Sequence, residues 1–302
     1  MNWASFQRAI QDHLGSWKEL RPIFTSLNGD NSWLMSFPRP EEERRRDAKA
    51  FYHVVFEPWL AGPASLLSNW FLSISLSVAP ALSQAHHIEA VIGLIETTVS
   101  SCLQDFTRHI SRYSAKSEGA QEVEYDGGMD AILLGFHYLD HTHEATLWLF
   151  NKAIPTHISQ DLDQNGEEIH ETILSSPHGT QLDGGPLDTF LNASPPTQKL
   201  AMLHGLKESR AAGKQNTFGV KGGLTLYRKV GGVKHSILSH HSELQYSGLL
   251  MKLLRTNDTQ RTLDWGDRGG SEVHASGGPC WASETKGCRG GKWELLYLGF
   301  LG

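Results

Sequence analysis

Three short segments of this chain gather imidazole and carboxylate side chains where extended structure is expected to end. His137-Tyr-Leu-Asp-His141 follows the apolar run Ala131 to Phe136 (AILLGF), Pro177-His178-Gly179 follows Ile169 to Ser175, and Ser239-His240-His241 follows Gly231 to Leu238. Histidine is the commonest metal ligand, and carboxylates complete many sites that activate water. Layered α/β enzymes place such groups on variable loops at the ends of rigid strands. Each segment also has a plainer reading. Asp140 could cap a helix by accepting backbone N–H bonds, His178 could hydrogen-bond within a Pro-Gly turn, and His240-His241 could be a strand-end pair. The chain holds 16 histidines, and position rather than that number decides between the readings.

Other chemistries find less support. Gly219-Val-Lys-Gly-Gly223 lacks the G-x-x-x-x-G-K-[ST] phosphate loop and is expected to be a turn that opens no helix. Ser36, Ser68 and Ser239 occur without the G-x-S-x-G elbow of serine hydrolases. Cys102, Cys280 and Cys288 are too few and too scattered for a disulfide framework or a zinc pair. His86-His87 are expected to be solvated at a helix start, His143 to lie at the surface, and His204 to sit on a helix.

The elements that must position these groups follow from periodicity. Residues 1–24 read as a helical lead-in, with Trp3, Phe6, Ile10 and Leu14 at helical spacing. Asn28-Gly-Asp-Asn31 is turn chemistry before a strand at Ser32 to Phe37. Glu41-Glu-Glu-Arg-Arg-Arg-Asp47 has cancelling charges and is expected to be a solvated loop. Phe51 to Phe56 is apolar on both faces, as a strand covered on both sides should be. Ser68 to Val78 reads as extended. His86 to Tyr113 carries an apolar stripe from Ile88 to Ile110 and reads as an amphipathic helix, and a polar linker spans Ser114 to Gly128. Helices are further expected at Thr142 to Lys152, Thr197 to Ala212 and Leu249 to Trp265, and the text after Gly266 is Gly-rich and irregular.

The bulk numbers bound the function. The formal charge is −6, from 27 Lys and Arg against 33 Asp and Glu, which gives no basic footprint for nucleic acid or anionic membranes. A nuclease is disfavoured on the same ground. No signal peptide is read at the start, and Leu66 to Leu82 falls short of the roughly 20 apolar residues of a membrane helix. A cytoplasmic protein acting on a small molecule is the expectation; oligomeric state is not legible.

Six segments, in order, resemble the fungal metallo-β-lactamase-like hydrolases, relatives of the L-ascorbate-6-phosphate lactonases. They are LNGDNSWLMSFP (27–38), YHVVFEPWLAGP (52–63), AILLGFHYLDHTHEATL (131–147), ILSSPHG (173–179), LAMLHGLKES (200–209) and SILSHHSELQYSGLL (236–250). The resemblance implies an α/β fold of the metallo-β-lactamase type, an αββα sandwich with a metal site at one edge of its two sheets. The domain would span 1–265, with residues 266–302 as a tail. Between Ile158 and Glu168 the chain has only a polar loop where such relatives insert strands and a helix, so the sandwich is expected to be incomplete there.

The superfamily pattern H-x-H-x-D-H places ligands for two metals after a strand. Here the Asp-His end stands as Asp140 and His141, whereas the two upstream histidine positions are Phe136 and Tyr138, with His137 one place out of register. The resemblance therefore implies at most one Zn²⁺, held by Asp140, His141 and His240, with His241 the alternative to His240. His178 follows the strand that supplies a bridging ligand, and Asp140 is the catalytic candidate. Three protein ligands and an open position suit a hydrolytic zinc. The rival expectation is a metal-poor, non-catalytic member of the same fold.

Overall fold

The computed structural model describes residues 3–15, 20–47, 49–80, 82–111, 128–136, 138–158, 171–179, 182, 186–192, 198–254, 256–261 and 296–299. The chain runs through α1 (Trp3–Gly15), β1 (Ile23–Ser26), β2 (Trp33–Pro38), α2 (Glu41–Asp47), β3 (Phe51–Phe56), β4 (Ala64–Leu66), β5 (Leu72–Leu76) and α3 (Ala85–Ser111). It continues with β6 (Ala131–Leu134), α4 (Glu144–Leu147), β7 (Thr156–Ile158), β8 (Glu171–Ser175), α5 (Pro186–Leu191) and β9 (Gln198–His204). Then come β10 (Glu208–Ala211), β11 (Lys214–Phe218), α6 (Gly219–Lys229), β12 (His235–Leu238), β13 (Leu244–Ser247), α7 (Leu249–Leu253), β14 (Thr256–Thr259) and β15 (Leu296–Gly299).

Alternation along the early strands sends neighbouring side chains to opposite faces of one sheet, ordered β15-β1-β2-β3-β6-β7. Ile23, Leu34, Phe51 and Val55 join Ile10 of α1 and the stripe Ile88, Val91, Ile92, Ile95 and Val99 of α3. Phe24, Trp33, Met35 and Phe56, pointing the other way, meet Leu200, Ala201, Leu203 and Ile237 from a parallel sheet ordered β12-β9-β8. The outer side of that second sheet offers Met202 to Leu226 and Val230 of α6, with Leu187 and Leu191 of α5 packed alongside. The fold is thus mixed α/β, with β3 covered on both faces as its sequence predicts. Two smaller sheets, β11-β10-β14 and β13-β5-β4, flank this core. Among the described residues no helix is long and apolar enough to cross a membrane.

Several expectations are corrected. Glu41–Asp47 is a helix rather than a loop. Its three glutamates occupy the first turn and its arginines follow, which suits the helix dipole, and Arg44 N donates to Pro40 O at 3.0 Å. Thr197–Ala212 is not a helix: Gln198–His204 is the central strand of the parallel sheet and Glu208–Ala211 pairs antiparallel with β11 and β14. Leu, Ala and Met favour helix locally, but burial between two parallel neighbours overrides a propensity worth a few tenths of a kcal/mol per residue, roughly. Gly219–Gly223 opens α6 rather than forming only a turn, the helix at 142–152 contracts to Glu144–Leu147, and that at 249–265 contracts to Leu249–Leu253 before β14. From the tail expected to be irregular, Leu296–Gly299 lies parallel to β1. The polar stretches 114–127 and 159–168, His137, Cys280 and Cys288 lie outside the described residues.

Inside the first core Ser36 Oγ, His53 and Glu96 form a chain, Oγ to Nδ1 at 2.9 Å and Nε2 to Oε1 at 2.9 Å. These residue types make nucleophilic triads elsewhere. Here Ser36 and His53 are 0% exposed, so the chain serves to join α3 to β2 and β3. Glu96 also accepts Ala50 N (2.7 Å) and Phe51 N (2.9 Å), fixing the start of β3 and hence the strand end that carries Glu57. Glu96→Ala strands three buried donors. It is expected to lower unfolding stability by about 3 kcal/mol in urea titrations, and a loss under about 0.5 kcal/mol would contradict this role.

Candidate metal centre

The turn after β1 is the first scaffold. Asn28 Oδ1 accepts from the backbone of Asp30 (2.8 Å) and Ser32 (3.1 Å), an Asx-type turn in which Leu27 N also reaches Ser32 O at 2.9 Å. Asp30 and Asn31 are thereby held in the interior, each 1% exposed. Asp30 ties down the loop after β12: Oδ1 accepts Ser242 N (2.8 Å), Oδ2 meets His240 Nδ1 (2.9 Å), and its carbonyl accepts His240 N (3.1 Å). Trp33 Nε1 adds a bond to Ser239 Oγ at 3.1 Å.

The second scaffold is Glu57 at the end of β3. Its backbone is left-handed, φ 48°, and its N donates to Leu133 O at 2.9 Å. The carboxylate is fully buried and meets His141 Nδ1 at 2.6 Å. A Cβ at Gly135 would stand 2.8 Å from Glu57 Oε1, so a side chain there would press on this carboxylate. His141 comes from a tight turn in which the N atoms of His141 and Thr142 both donate to Tyr138 O, at 3.0 and 2.9 Å. Asn31 Nδ2 donates to Asp140 O at 3.1 Å and also lies 3.2 Å from His141 Nδ1. The shorter, charged contact with Glu57 makes Nδ1 a donor, which leaves the Asn31 amide to Asp140.

Asp140, His141, His178 and His240 converge. One ligand atom from each lies within 4.8 Å of the others. His141 Nε2 is 3.0 Å from His178 Nε2 and 3.7 Å from Asp140 Oδ2. In each imidazole Nδ1 has its own partner, Glu57 for His141, Asp30 for His240 and Thr217 Oγ1 at 3.1 Å for His178. That pattern leaves each Nε2 as the ligating atom and is how carboxylates and hydroxyls orient metal-bound histidines. Phe136 and Tyr138 lie with their rings 5° from parallel and their centroids 5.9 and 5.2 Å from the His178 ring.

Electrostatics fit a cation. Burial raises the Glu57 carboxyl above its usual range, although the hydrogen bond and charge of His141 pull the other way. Burial opposes charge on His141 too, but the Glu57 hydrogen bond and the carboxylates of Asp140 and Glu57 outweigh it and raise this group. Burial also opposes charge on Asp30, yet His240, Lys207 and Ser242 N together hold it below the usual carboxylate range. Burial, with the charges of His240 and His141, pushes His178 down to about 2. Asp30, Glu57 and Asp140 bring three carboxylates into the interior, and buried Lys207 acts on Asp30 and His178 with one positive charge. A divalent ion among the imidazoles would offset negative charge held there, and uncompensated buried charge is costly. A tetrahedral ion with bonds of about 2.0–2.1 Å wants ligand atoms about 3.4 Å apart, so small side-chain movements close the set.

All four residues expected as ligands are therefore brought together, and His240 rather than His241 is the member from its loop. His143, expected at the surface, is instead buried as the N-cap of α4, bonded to Thr146 Oγ1 and Pro63 O. His204, expected on a helix, is buried at the end of β9 against the Ser176 and Gly219 carbonyls. Asp30, Asn31, Glu57 and Thr217 were not singled out from sequence. The available signals were a carboxylate directly after the apolar run FYHVVF and an Asp within the NGDN turn.

His240 is held at φ 53°, a left-handed backbone uncommon outside glycine. Gly205 makes this possible: a Cβ there would stand 2.8 Å from His240 O and 2.9 Å from Ser239 O. Gly205→Ala is expected to displace the 239–242 loop, costing about 2 kcal/mol in thermal or urea unfolding. Parent-like stability together with an unshifted His240 ring resonance would contradict it.

Comparison of the chain with protein-family models, with curated proteins and with solved structures gives no match, so its functional assignment rests on its own residues.

Proposed function

We propose that the chain is a hydrolase of metallo-β-lactamase type that works with a single divalent ion, Zn²⁺, on a small-molecule substrate. The observation that carries this reading is the meeting of Asp140, His141, His178 and His240 from three strand-end loops, each imidazole tied at Nδ1. Three nitrogens and one oxygen suit zinc. Helices packed outside two sheets that share a core support the αββα assignment. Phe136 and Tyr138 stand where the H-x-H-x-D-H pattern has histidines, and their aromatic rings pack against His141 and His178. A second ion would lack the two ligands that the pattern places there.

A divalent ion held by these four residues would take the reacting water as a further ligand, lower its pKa and polarise the oxygen of the bond being cleaved. The chain supplies the rest. Glu57, Asp30 and Thr217 hold the three rings so that Nε2 faces the cluster. Asp140 offers one carboxylate oxygen as ligand and the other to take the proton from the attacking water. The bond is an ester, lactone, amide or phosphoester; the fold hosts many chemistries and the residues do not choose among them. The aromatic pair favours a second reading, a metal-poor binding protein of the same fold, and metal content separates the two.

Elemental analysis of the purified chain is expected to find one zinc per chain, lost in His141→Ala and in His240→Ala. Two ions, none, or no change on either substitution would overturn the assignment. Glu57→Gln keeps the shape but removes the charge behind His141, and is expected to weaken zinc binding by about 10–100-fold in chelator competition. An affinity equal to the parent's would show that Glu57 does not tune the site.

A further inference from the structure

The hairpin that joins β4 to β5 carries large apolar side chains into solvent at its apex. Leu67 is 85% exposed, Trp70 69% and Leu66 42%. Beside them α7 presents Leu249 and Leu253, one helical turn apart on one face, the latter 76% exposed. Hydrogen bonds make turn and helix one unit: Leu249 N donates to Trp70 O at 2.7 Å and Leu250 N to Phe71 O at 2.9 Å. Single exposed apolar residues are ordinary, but five on one such unit mark a contact surface. Leu67 also adopts a left-handed backbone, φ 62°. Asparagine or glycine would sit there with less strain, and strain kept with an exposed leucine points to a use.

Chemistry narrows what covers this face. Between Glu57 and Glu89 the sequence has no Asp, Glu, Lys or Arg, and from Leu244 to Asn257 its charged residues are Lys252 and Arg255. Neither segment therefore holds an acid that would repel phosphate. With a formal charge of −6 the whole chain has no attraction for an anionic membrane, so apolar insertion rather than charge has to hold it. The turn is suited to that. Ser68 N is bonded to Leu66 O (2.7 Å), and Phe71 N and Leu72 N to Ser68 O (3.0 and 3.2 Å), while α7 takes the Trp70 and Phe71 carbonyls. Backbone groups that approach hydrocarbon must be satisfied from within, whereas a protein partner brings its own donors and acceptors. Tryptophan favours the boundary between headgroups and acyl chains, and a lysine extends its ammonium to the phosphates above.

We propose that this unit docks on the surface of a neutral phospholipid bilayer, with Leu67, Trp70 and Leu253 entering the acyl boundary and Lys252 at the level of the phosphates. The proposal is independent of the hydrolase reading. Sedimentation of the purified chain with phosphatidylcholine vesicles tests it. The chain is expected to bind, and Leu67→Ser and Trp70→Ser should each weaken binding by about tenfold. Phe218→Ser, which removes an exposed ring from the other small sheet, should bind like the parent, and so should His141→Ala, which loses zinc. Both apex positions are exposed, so their variants should keep the parent's circular dichroism and thermal unfolding. No binding to vesicles, parent-like binding by both apex variants, or an equal loss in Phe218→Ser would overturn the proposal. A dimer in analytical ultracentrifugation that Leu67→Ser disperses would give the face to a second copy and overturn it as well.

Discussion

Two carboxylates held in the interior, Asp30 and Glu57, set the geometry at this end of the molecule. Neither could remain charged there alone, because removing a carboxylate from water costs several kcal/mol, roughly. Asp30 is stabilised by the His240 imidazole, Ser242 N and nearby Lys207, and Glu57 by the His141 imidazole. The same contacts fix the tautomer of both rings. Nδ1 is occupied, and Nε2 is turned toward Asp140 and His178. Carboxylate burial and ligand presentation are one arrangement seen from two sides.

That arrangement makes demands on the backbone. Glu57 and His240 both adopt left-handed conformations, at φ 48° and 53°, and both carry a side chain that the cluster needs. Strain of this kind persists where surrounding contacts over-determine it. The contacts here are identifiable: Glu57 N on Leu133 O, His240 N on Asp30 O, and close approaches at Gly135 and Gly205 where any Cβ would collide. Behind them, Glu96 and His53 hold β3 against α3, so the position of Glu57 depends on packing across the whole first sheet.

The aromatic pair gives the centre its particular character. Phe136 and Tyr138 stack with each other and pack tilted or edge-on against His141 and His178. Asp140, His141, His178 and His240 could together hold one ion. Beside them the rings of Phe136 and Tyr138 form an apolar wall, and the Gly179 and Phe218 ends of the flanking stretches line a neighbouring cleft.

By itself the sequence pointed to strands at 32–37, 51–56, 131–136, 169–175 and 231–238, which the structure forms at 33–38, 51–56, 131–134, 171–175 and 235–238, to the long amphipathic helix, and to the imidazole and carboxylate groups at three strand ends. These are local matters, written in period-two and period-3.6 patterns and in residue chemistry. It misread Thr197 to Ala212 as helix, because only the neighbours β8 and β12 make 198–204 a strand and only β11 and β14 make 208–211 one. It passed over Asp30, Asn31 and Glu57, because an acid or amide after an apolar run looks like a turn until its partner is known. Tertiary structure alone decided that His240 rather than His241 joins the cluster and that His143 and His204 are spent on caps and carbonyls. Those outcomes depend on contacts between residues tens to hundreds of positions apart, such as Asp30 with His240 and Glu57 with His141, and no local pattern encodes the direction in which a loop turns its side chains.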